Sequence, residues 1–478
     1  MAFLIGGANS AADDAYEVAN SCRFNNDDSD HMHKTPGSAG NRRTWTVSVW
    51  VKKSLVGGST RKAIFGTADT EVNGDGGCLL RFENGDALKF ESDGGQVTVV
   101  ETNALYRDPS AWMHVVLAVD TTQGTAANRV KIYINGVQET SLATSTYPAQ
   151  NKDYHWNNTV VNYVGAYDDS GDIAVPFDGY MAEFVSIDGS ALTPSSFGEY
   201  NEDSPTIWQP IDVSGLTFGT NGFYLDFEDS ANLGNDANGG TDLTEVNLAA
   251  TNQATDSPTN NFCTLNPLDN NNATNLPTLF EGNLDVLSVS DSTWSITPGT
   301  IALPKSGKWY YEVEAVTGRA GDRSAMAGWA NPEADNPLSN GSMFSRNSNG
   351  NIMQDDSSIA TGYTTWHADG DILGCYIDMD NSKLYWAMNG TIQASGTGIS
   401  FAGGFDDAAF IIPMVQVINL EKLSVNFGNP ATNFAIASGN QDANGYGNFE
   451  FDPSSGTFDG ASKDFYAICT KNLAEFGG

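Results

Sequence analysis

The sequence predicts an all-β protein with two β-sandwich domains of the jelly-roll type, joined by an irregular connector. Short apolar runs of strand length recur along most of the chain, and many of them alternate apolar with polar or small residues. Glycine contributes 50 residues, and clusters of Asn, Asp, Ser and Gly separate the runs, as is typical of turns between strands. A chain of 478 residues is too long for one core, so more than one domain is expected.

The most informative stretch is residues 370–390, GDILGCYIDMDNSKLYWAMNG. An apolar run at 372–377 is followed by turn-forming residues at 378–383 and a second apolar run at 384–388. Asn389-Gly390 then supplies residues that tolerate positive φ. This pattern predicts a buried β-hairpin followed by a tight turn.

The hairpin and its neighbours resemble the SPRY (B30.2) domain family. The resemblance covers residues 276–478 and implies a second sandwich. Trp329 and Trp386 are expected to fill its core, because both lie in apolar strands. By the same resemblance, loops at 319–323, 331–345 and 400–407 would recognise a partner. The matching segments, in the family's order, are GKWYYEVE at 307–314, Gly328-Trp329, the hairpin, FIIPMV at 410–415 and LSVNFG at 423–428.

The first half of the chain contains a separate series of predicted strands. About ten apolar runs in two hundred residues favour a two-sheet sandwich. The runs lie at 18–24, 45–51, 62–65, 78–82, 87–90, 97–100, 112–120, 130–135 and 179–187.

These runs resemble the LamG, or concanavalin A-like lectin/glucanase, family over residues 16–209. The family pattern is a Trp-containing strand, a W-x-H-V strand that ends in Asp, a strand that ends in Asn-Gly, and F-x-G-x-x-x-E before an S-A-L-T turn. The matching segments are WTVSVWV at 45–51, WMHVVLAVD at 112–120, residues 133–136, 177–183 and 190–193.

The remaining segments are expected to lie outside the two sandwiches. Residues 1–15 are small and polar and are interpreted as an N-terminal arm or attachment peptide. Residues 210–275 are interpreted as a strand pair, at 216–218 and 223–227, followed by a polar connector that lacks material for its own core. Residues 193–200 predict a single helical turn that starts near Pro194.

Charge and cysteine content exclude several classes of function. Lys and Arg total 23 against 59 Asp and Glu, a net charge of −36, so nucleic-acid binding is not expected. No apolar run is long enough for a membrane span. The five cysteines are widely spaced without a CxxC pair, and Cys22 and Cys375 lie in apolar strands as small core residues, so we expect a chain that folds in a reducing cytoplasm. The first residues lack the basic region of a signal peptide, so we expect synthesis in a host cytoplasm without general secretion.

The order of all these parts resembles that of proteins encoded by tailed bacteriophages of aquatic bacteria. The resemblance includes SCRFNNDDSDHM at 21–32 and PTNNFCTLNP at 258–267, between and around the two sandwiches. It implies a location on the outer surface of a virion, with other virion proteins and a host-cell glycan or receptor as partners. It also implies a homo-oligomer, which would be a trimer if the protein is a fibre.

No catalytic residue is predicted. A glucanase of this fold would need paired carboxylates on one strand, in an E-x-D-x-x-E spacing. The nearest approach is Glu91, Asp93 and Gln96, in which the third carboxylate is an amide and two glycines interrupt the strand. This stretch is interpreted as a hairpin turn.

Calcium is the one cofactor that the sequence suggests, because sandwiches of this kind often hold Ca²⁺ where turn and strand-end oxygens converge. None of the acidic turns has regular EF-hand spacing, and a solvated turn is the alternative for each. His31 and His33 form a second possible metal pair, with a surface pair as the favoured alternative, and His114 is interpreted as structural. The candidate calcium ligands are Asp27, Asp28, Asp120, Asp168, Asp169 and Asp178.

Three aromatic residues of the first domain are candidate sugar-stacking residues: Tyr154, Trp156 and Tyr167. A sugar ring offers one apolar face that an exposed aromatic ring can cover. The alternative is that these rings cover loop backbone.

The leading hypothesis is a non-enzymatic structural protein of a bacteriophage virion, a tail fibre or similar appendage, that attaches to host glycans through its lectin-like domains. A capsid decoration or head fibre is an alternative. A polysaccharide-degrading glucanase or depolymerase is a second, against which the missing carboxylates count. A cellular adhesion module is a third, and it would need a secretion signal.

Overall fold

A computed structural model of the chain describes residues 4–5, 16–68, 77–92, 97–268, 276–290, 292–317, 324–331, 342–354, 357–401 and 410–476. The chain divides into two compact units, which we call the first sandwich (Ala11–Thr259) and the second sandwich (Met1–Ser10 with Asn260–Gly478). Strands account for 44% of the structure and helices for 5%, which confirms the predicted all-β class. The chain starts with a two-residue strand, β1 (Leu4–Ile5), that belongs to the second sandwich.

Within its described residues, the first sandwich consists of short strands with three single-turn 3-10 helices at Ala126–Asn128, Pro194–Ser196 and Ala250–Asn252. The 3-10 helix at Pro194 lies where the sequence predicts a helical turn. The strands are β2 (Ser21–Phe24), β3 (His31–Lys34), β4 (Thr44–Lys53), β5 (Lys62–Thr67), β6 (Cys78–Phe82), β7 (Ala87–Ser92), β8 (Thr98–Leu105), β9 (Met113–Asp120), β10 (Val130–Ile134), β11 (Val137–Gln138), β12 (Leu142–Thr146), β13 (Asn162–Val164), β14 (Tyr167–Asp169), β15 (Asp172–Ala174), β16 (Gly179–Asp188), β17 (Gly198–Tyr200), β18 (Trp208–Pro210), β19 (Phe223–Leu225), β20 (Thr244–Val246) and β21 (Gln253–Ala254).

Sixteen of these strands form two eight-stranded sheets that pack face to face, while β14 with β15 and β17 with β18 form two separate two-stranded sheets. One sheet, called the β4 sheet, has the order β11-β10-β9-β4-β16-β2-β21, with β19 also paired to β16. The other, called the β7 sheet, has the order β12-β8-β7-β6-β5-β13-β3-β20. Trp45, Val47, Val49 and Val51 all point into the core between the sheets, as the period-2 pattern of β4 requires.

The outer face of the β4 sheet is covered by the segment that follows β16. Phe197, Val213 and Phe218 of this segment pack on Val116 and Val185 of the sheet. The prediction of a strand at 216–218 was wrong, because the Leu216 N–H closes a turn onto the carbonyl of Val213 at 3.0 Å. Only β19 of the predicted pair forms, and it pairs with β16 instead.

The polar segment after β19 completes the first sandwich, which extends to Thr259 and therefore past the expected limit at residue 209. Two leucines, Leu233 and Leu243, enter the core, and they suffice because a sandwich is already present for them to pack on. β20 and β21 add the last strand to the β7 sheet and to the β4 sheet. Backbone pairing thus orders a stretch whose composition cannot form its own core.

The second sandwich has a 3-10 helix at Gln393–Gly396 and one α-helix, α1 (Thr470–Phe476), among its described residues. Its strands, besides β1, are β22 (Thr278–Phe280), β23 (Asp285–Leu287), β24 (Ser295–Pro298), β25 (Ile301–Ala302), β26 (Lys308–Thr317), β27 (Ser324–Ala330), β28 (Ser342–Arg346), β29 (Ile352–Gln354), β30 (Ser357–Ala360), β31 (Asp371–Asp378), β32 (Lys383–Met388), β33 (Thr391–Ile392), β34 (Ile399–Ser400), β35 (Ile412–Ile418), β36 (Lys422–Asn426), β37 (Thr457–Phe458), β38 (Ala461–Ser462) and β39 (Tyr466–Ala467).

Two sheets again enclose the core. The larger has the order β22-β23-β36-β26-β31-β32-β33, with β34 on β32 and β39 parallel to β26, and the smaller has the order β24-β35-β27-β28-β29-β30. β31 and β32 form the predicted hairpin, with Leu373 opposite Met388. Trp329 and Trp386 are buried in the core, as predicted, and β1 pairs in parallel with β25.

The outer face of the larger sheet is covered by the C-terminal segment, whose Phe449, Phe458 and Phe465 pack on Tyr310 and Tyr376. Glu312 lies beneath this segment, fully buried, and accepts four hydrogen bonds. Burial raises the pKa of Glu312 to about 7, although all four donors act in the opposite direction. The donors are Phe451 N at 2.8 Å, Tyr310 Oη at 2.9 Å, Asn426 Nδ2 at 3.0 Å and Glu450 N at 3.1 Å.

Two further expectations concern cysteines and membranes. All five cysteines are buried free thiols, and the burial of Cys22 and Cys375 agrees with their predicted role as small core residues. Among the residues that the structure describes, no helix has the length and apolar character needed to cross a membrane.

Candidate functional site

The first sandwich has an open pocket of about 320 Å³ where β4, β8 and β10 end and β9 begins. A volume of this size lies within the range of small-ligand sites in proteins. We call it the apolar pocket. Its lining residues are Val51, Lys53, Leu105, Tyr106, Arg107, Asp108, Ala111, Trp112, Met113, Ile134 and Asn135.

The aromatic walls of the apolar pocket stand on either side of a tight loop between β8 and β9. Asp108 accepts hydrogen bonds from the Ser110 backbone N–H at 2.8 Å and from its hydroxyl at 2.5 Å, which folds the loop. Tyr106 and Trp112 flank the loop, and Leu105, at the end of β8, is 50% exposed beside them.

Both aromatic rings are held by buried or half-buried carboxylates. The Trp112 indole N–H donates to Asp256 at 2.8 Å, and Asp256 also pairs with Lys52 at 2.6 Å in a buried salt bridge. The Tyr106 hydroxyl donates to Glu139 at 3.2 Å, and burial together with this carboxylate raises the pKa of Tyr106. The rings therefore have fixed positions before any ligand binds, which reduces the entropic cost of binding.

The two cations beside the apolar pocket share one carboxylate. Asp86 pairs with Lys53 at 2.6 Å and with Arg107 at 3.0 Å, and it also accepts the Gly57 N–H at 2.8 Å. Burial lowers the pKa of Lys53, and the Asp86 carboxylate acts against that shift. The pocket thus offers aromatic and aliphatic surface with a polar rim, an arrangement that suits a ligand with one apolar face.

Two of the predicted sugar-stacking residues are not available for stacking. Tyr154 and Trp156 are both fully buried, and their rings lie 6.0 Å and 6.2 Å from that of Trp45 in the core. The Tyr154 backbone N–H donates to Arg42 at 3.0 Å, so the loop is tied back to the chain and its rings enter the space between the sheets. The prediction that Tyr154 and Trp156 are exposed is therefore wrong.

Tyr167, the third predicted stacking residue, is half-buried on the β7 sheet. It lines a cavity of about 30 Å³ together with Leu79 and Glu91. This volume holds a water molecule and not a sugar ring. Tyr167 does not line the apolar pocket.

The predicted calcium ligands do not converge. No three His, Cys, Asp or Glu side chains among the described residues are grouped so that they could hold a metal ion. Asp120 accepts hydrogen bonds from Gln123 at 2.5 Å and Thr122 at 2.6 Å, and these lower its pKa although burial acts to raise it. Asp168 accepts the Gly171 N–H at 2.6 Å inside the β14–β15 hairpin, next to Asp169.

The remaining three candidates lie in and around the first turn. Asp28 accepts the Asn25 amide at 3.0 Å. Asp27 and Asp178 both act electrostatically on Lys62, a protein cation in the same part of the sandwich. These carboxylates serve turn geometry and charge balance.

The histidines have structural positions. His114 is fully buried between Ser48, which contacts its Nε2 at 2.8 Å, and the Trp208 indole N–H, which donates to its Nδ1 at 2.9 Å. Burial lowers the pKa of His114 to about 3, so the ring is neutral. His31 is 4% exposed, which differs from the surface pair expected of His31 and His33. Its Nδ1 lies 2.8 Å from the Ser29 carbonyl and must donate to it.

The stretch considered as a catalytic site is only partly described. Glu91 is held by Arg81 and by Lys89, the latter at 2.8 Å, in an ion-pair network on the outer face of the β7 sheet. Asp93 and Gln96 lie outside the described residues, as do the loop at 319–323, most of 331–345 and most of 400–407.

Tyr106 and Trp112 are functional candidates that the sequence reasoning missed. Trp112 was treated only as part of a strand motif. The signal that could have found them is YRDPSAW at 106–112, in which two aromatic residues flank an Asp-Pro-Ser turn. Aromatic residues at the two sides of a short turn are brought to one edge of a sheet.

Two family models match separate parts of the chain. Residues 26–196 match the concanavalin A-like lectin/glucanases superfamily, and residues 308–430 match the SPRY domain.

Solved structures with related folds include the SPRY domain of human HERC1, at 16% identity and a TM-score of 0.28, over 34% of this chain and 96% of that one. A putative carbohydrate binding protein from Bacteroides ovatus has 19% identity and a TM-score of 0.34, over 48% of this chain and 58% of that one. The mouse laminin alpha1 chain domains LG4-5 have 13% identity and a TM-score of 0.31, over 88% of this chain and 92% of that one.

Identities this low concern the fold alone, and TM-scores below 0.5 carry no argument about a ligand. The two family matches confirm both domain resemblances inferred from the sequence. The protein joins a LamG/concanavalin A-like β-sandwich to a SPRY-type β-sandwich, in that order along the chain.

Proposed function

We propose that this protein is a non-enzymatic attachment protein of a bacteriophage virion and that its first sandwich binds a host-surface glycan at the apolar pocket. The observation that carries the glycan proposal is the pair of fixed aromatic residues, Tyr106 and Trp112, beside an open pocket of about 320 Å³. The concanavalin A-like match over residues 26–196 supports a carbohydrate ligand.

The physical argument is that one face of a pyranose ring presents C–H groups while its rim presents hydroxyls. Trp112, Leu105 and Met113 offer apolar surface for the ring face, and Asn135 and Asp108 stand at the polar rim. Each aromatic contact removes apolar area from water, which contributes roughly 25 cal/mol per Å².

The glycan proposal is tested by screening the full chain on a glycan array and measuring the best ligand by isothermal titration calorimetry. We expect Y106A and L105R to weaken binding at least ten-fold. Leu105 is half-exposed, so L105R fills the pocket without disturbing the core. I359A, which alters an isoleucine that is 43% exposed in the second sandwich, serves as the control and should bind as the wild type does. Full binding by L105R and Y106A would refute the site.

The virion role is supported by the order of the domains and by the segments at 21–32 and 258–267. Antibody labelling of purified particles in electron microscopy, with mass spectrometry of separated capsids and tails, tests it. Label on tails supports the host-attachment role. Label over capsids makes the protein a decoration or head fibre, and absence from particles refutes the virion proposal.

Non-enzymatic action and oligomerisation are parts of the same proposal. We expect no release of reducing sugar when the purified protein is incubated with the polysaccharide that it binds, and release would favour a depolymerase. We expect a homo-oligomer, which multi-angle light scattering detects. A trimer favours a fibre, and a monomer contradicts the oligomer.

A further inference from the structure

A second pocket of about 560 Å³ lies at the same end of the first sandwich, and we call it the polar pocket. In contrast to the apolar pocket, most of its walls are amide, hydroxyl and cationic side chains: Asn26, Ser59, Thr60, Arg61, Lys62 and Asn84. Both pockets contain two cations, but those of the apolar pocket, Lys53 and Arg107, both pair with Asp86.

Lys62 is the distinctive residue of the polar pocket. It is the first residue of β5 and is 4% exposed, yet its ammonium has no hydrogen-bond or ion-pair partner within the part of the chain that the structure describes. The ammonium keeps access to the open pocket, and the partial loss of its hydration is not offset by a direct protein partner. Burial accordingly lowers the pKa of Lys62.

None of the charged groups described near Lys62 forms an ion pair with it. Arg61 is committed to Glu83 at 3.0 Å on the rim. Asp178 and Asp27 act on Lys62 through their field and only partly oppose the effect of burial. The pocket therefore keeps one buried cation for which a ligand can supply the partner.

We propose that the polar pocket binds the carboxylate of an acidic sugar, with Lys62 as the counter-charge and the amides and hydroxyls around it as partners for the sugar's hydroxyl groups. The proposal rests on the glycan-binding function proposed above and specifies its ligand class. A singly charged carboxylate matches one cation, and Asp27 and Asp178 repel it about half as strongly as they would repel a phosphate dianion.

The two pockets are neighbours along one turn. Asn84 lines the polar pocket, and Arg107 of the apolar pocket donates to the Gly85 carbonyl at 3.0 Å. The turn of residues 84–86 spans at most about 10 Å. One oligosaccharide can therefore place a sugar ring in the apolar pocket and a uronate unit in the polar pocket.

The test compares cellotetraose with the tetraglucuronate of the same linkage, two probes that differ in their C6 carboxylates. By calorimetry at low salt, we expect the full chain to bind the tetraglucuronate at least ten-fold tighter, and the preference should shrink as salt is added. K62Q should lose the preference. R61Q, which alters the cation that is already paired, is the matched control and should keep most of the preference. N84D adds a negative charge to the exposed turn and leaves Lys62 unchanged, so it should weaken the binding of tetraglucuronate.

The outcomes separate the two proposals. Equal affinity for the two tetrasaccharides, or a preference that survives in K62Q, overturns the acidic-sugar inference and leaves the glycan-binding function in place. Displacement of the tetraglucuronate by inorganic phosphate at lower concentration than by sodium glucuronate overturns the choice of carboxylate. If no sugar binds here or on the array, both proposals fail.

Discussion

Both sandwiches contain an Asn-Gly turn against which an aromatic ring of the covering segment packs. In the first, Asn135 and Gly136 have φ of 46° and 82°, and a Cβ on Gly136 would lie 2.6 Å from the Trp208 ring. In the second, Asn389 and Gly390 have φ of 45° and 75°, and a Cβ on Gly390 would lie 2.5 Å from the Phe451 ring. Both turns need glycine for conformation and for space.

The two sandwiches differ in the buried polar group that the covering segment contacts. In the first, the Trp208 side chain donates to neutral His114 at 2.9 Å. In the second, the Phe451 backbone N–H donates to the carboxyl group of Glu312 at 2.8 Å. The same turn geometry is thus compatible with a base or an acid beneath the segment, and this choice decides how each sandwich responds to pH.

The largest expected effect follows from removing Glu312. E312A leaves four donors without their acceptor beneath the C-terminal segment, and we expect a loss of about 3–5 kcal/mol in the free energy of unfolding of the second sandwich. Urea denaturation with hydrogen exchange resolved by mass spectrometry measures this loss by sandwich.

D464A is the control for this variant, since Asp464 is exposed on the same segment. A loss below about 1 kcal/mol in E312A, or an equal loss in D464A, would show that Glu312 does not hold the segment.

The second effect is a pH response of opposite sign in the two sandwiches. The pKa of His114 is lowered to about 3 in the folded state, against about 6.5 when unfolded, so its contribution to stability is lost as the pH falls from 6.5 toward 3. The pKa of Glu312 is raised to about 7, against about 4.3 when unfolded, so its contribution is lost as the pH rises from 4.3 through 7.

Glu183 adds a second titrating group to the pH dependence of the first sandwich, because burial raises its pKa to about 7 despite hydrogen bonds from Tyr224 and Tyr16. The isosteric variants separate these effects. Urea midpoints at several pH values measure the stability of each sandwich. Relative to wild type, H114Q should reduce the loss of stability of the first sandwich between pH 6.5 and 3. E312Q should reduce the loss of stability of the second sandwich between pH 4.3 and 7. An unchanged pH dependence in either variant would contradict the role given to that residue.

Third, G136A and G390A should destabilise their sandwiches to a similar extent, by about 1–3 kcal/mol each, because the methyl group meets a ring and the φ is positive. Thermal unfolding of both variants tests this expectation. The matched control is G362A, in which φ is +88° and no atom lies within 4 Å of the added Cβ. If G362A costs as much as G390A, backbone strain alone explains the effect and the ring contact contributes nothing.

The smallest effect is expected from W208F, which removes one hydrogen bond and keeps a ring on Gly136. We expect a loss of about 1–2 kcal/mol in the first sandwich, since the Nδ1 atom of His114 is left without its donor. The pKa of His114 should rise as well, which NMR titration of the ring detects. A pKa that does not change would mean that burial alone sets it.

Much of this fold follows from the sequence, because strand pattern and turn chemistry are local properties. β4, β9 and the β31–β32 hairpin lie at the expected positions since alternation and Asn-Gly turns specify them. The segment after residue 229 was interpreted as a connector, because its ordering depends on sheets formed by other parts of the chain.

The candidate site was harder to predict for the same reason. Tyr154 and Trp156 occur in a polar stretch that suggests exposure, yet the tie to Arg42 turns their rings inward. The lack of a partner for Lys62 depends on residues distant in sequence, so no pattern in the sequence around it reveals this property. Burial in an irregular loop is a tertiary property.

The pairing of β1 with β25 has a consequence for folding during synthesis. Leu4 pairs with Ile301, so the second sandwich begins before the first sandwich and is completed after it. At ribosomal rates of 5–20 residues per second, the leading strand waits roughly 15–60 s for its partner to emerge. The first sandwich is complete in the nascent chain well before that, so we expect it to fold first while the N-terminal strand remains free for other contacts.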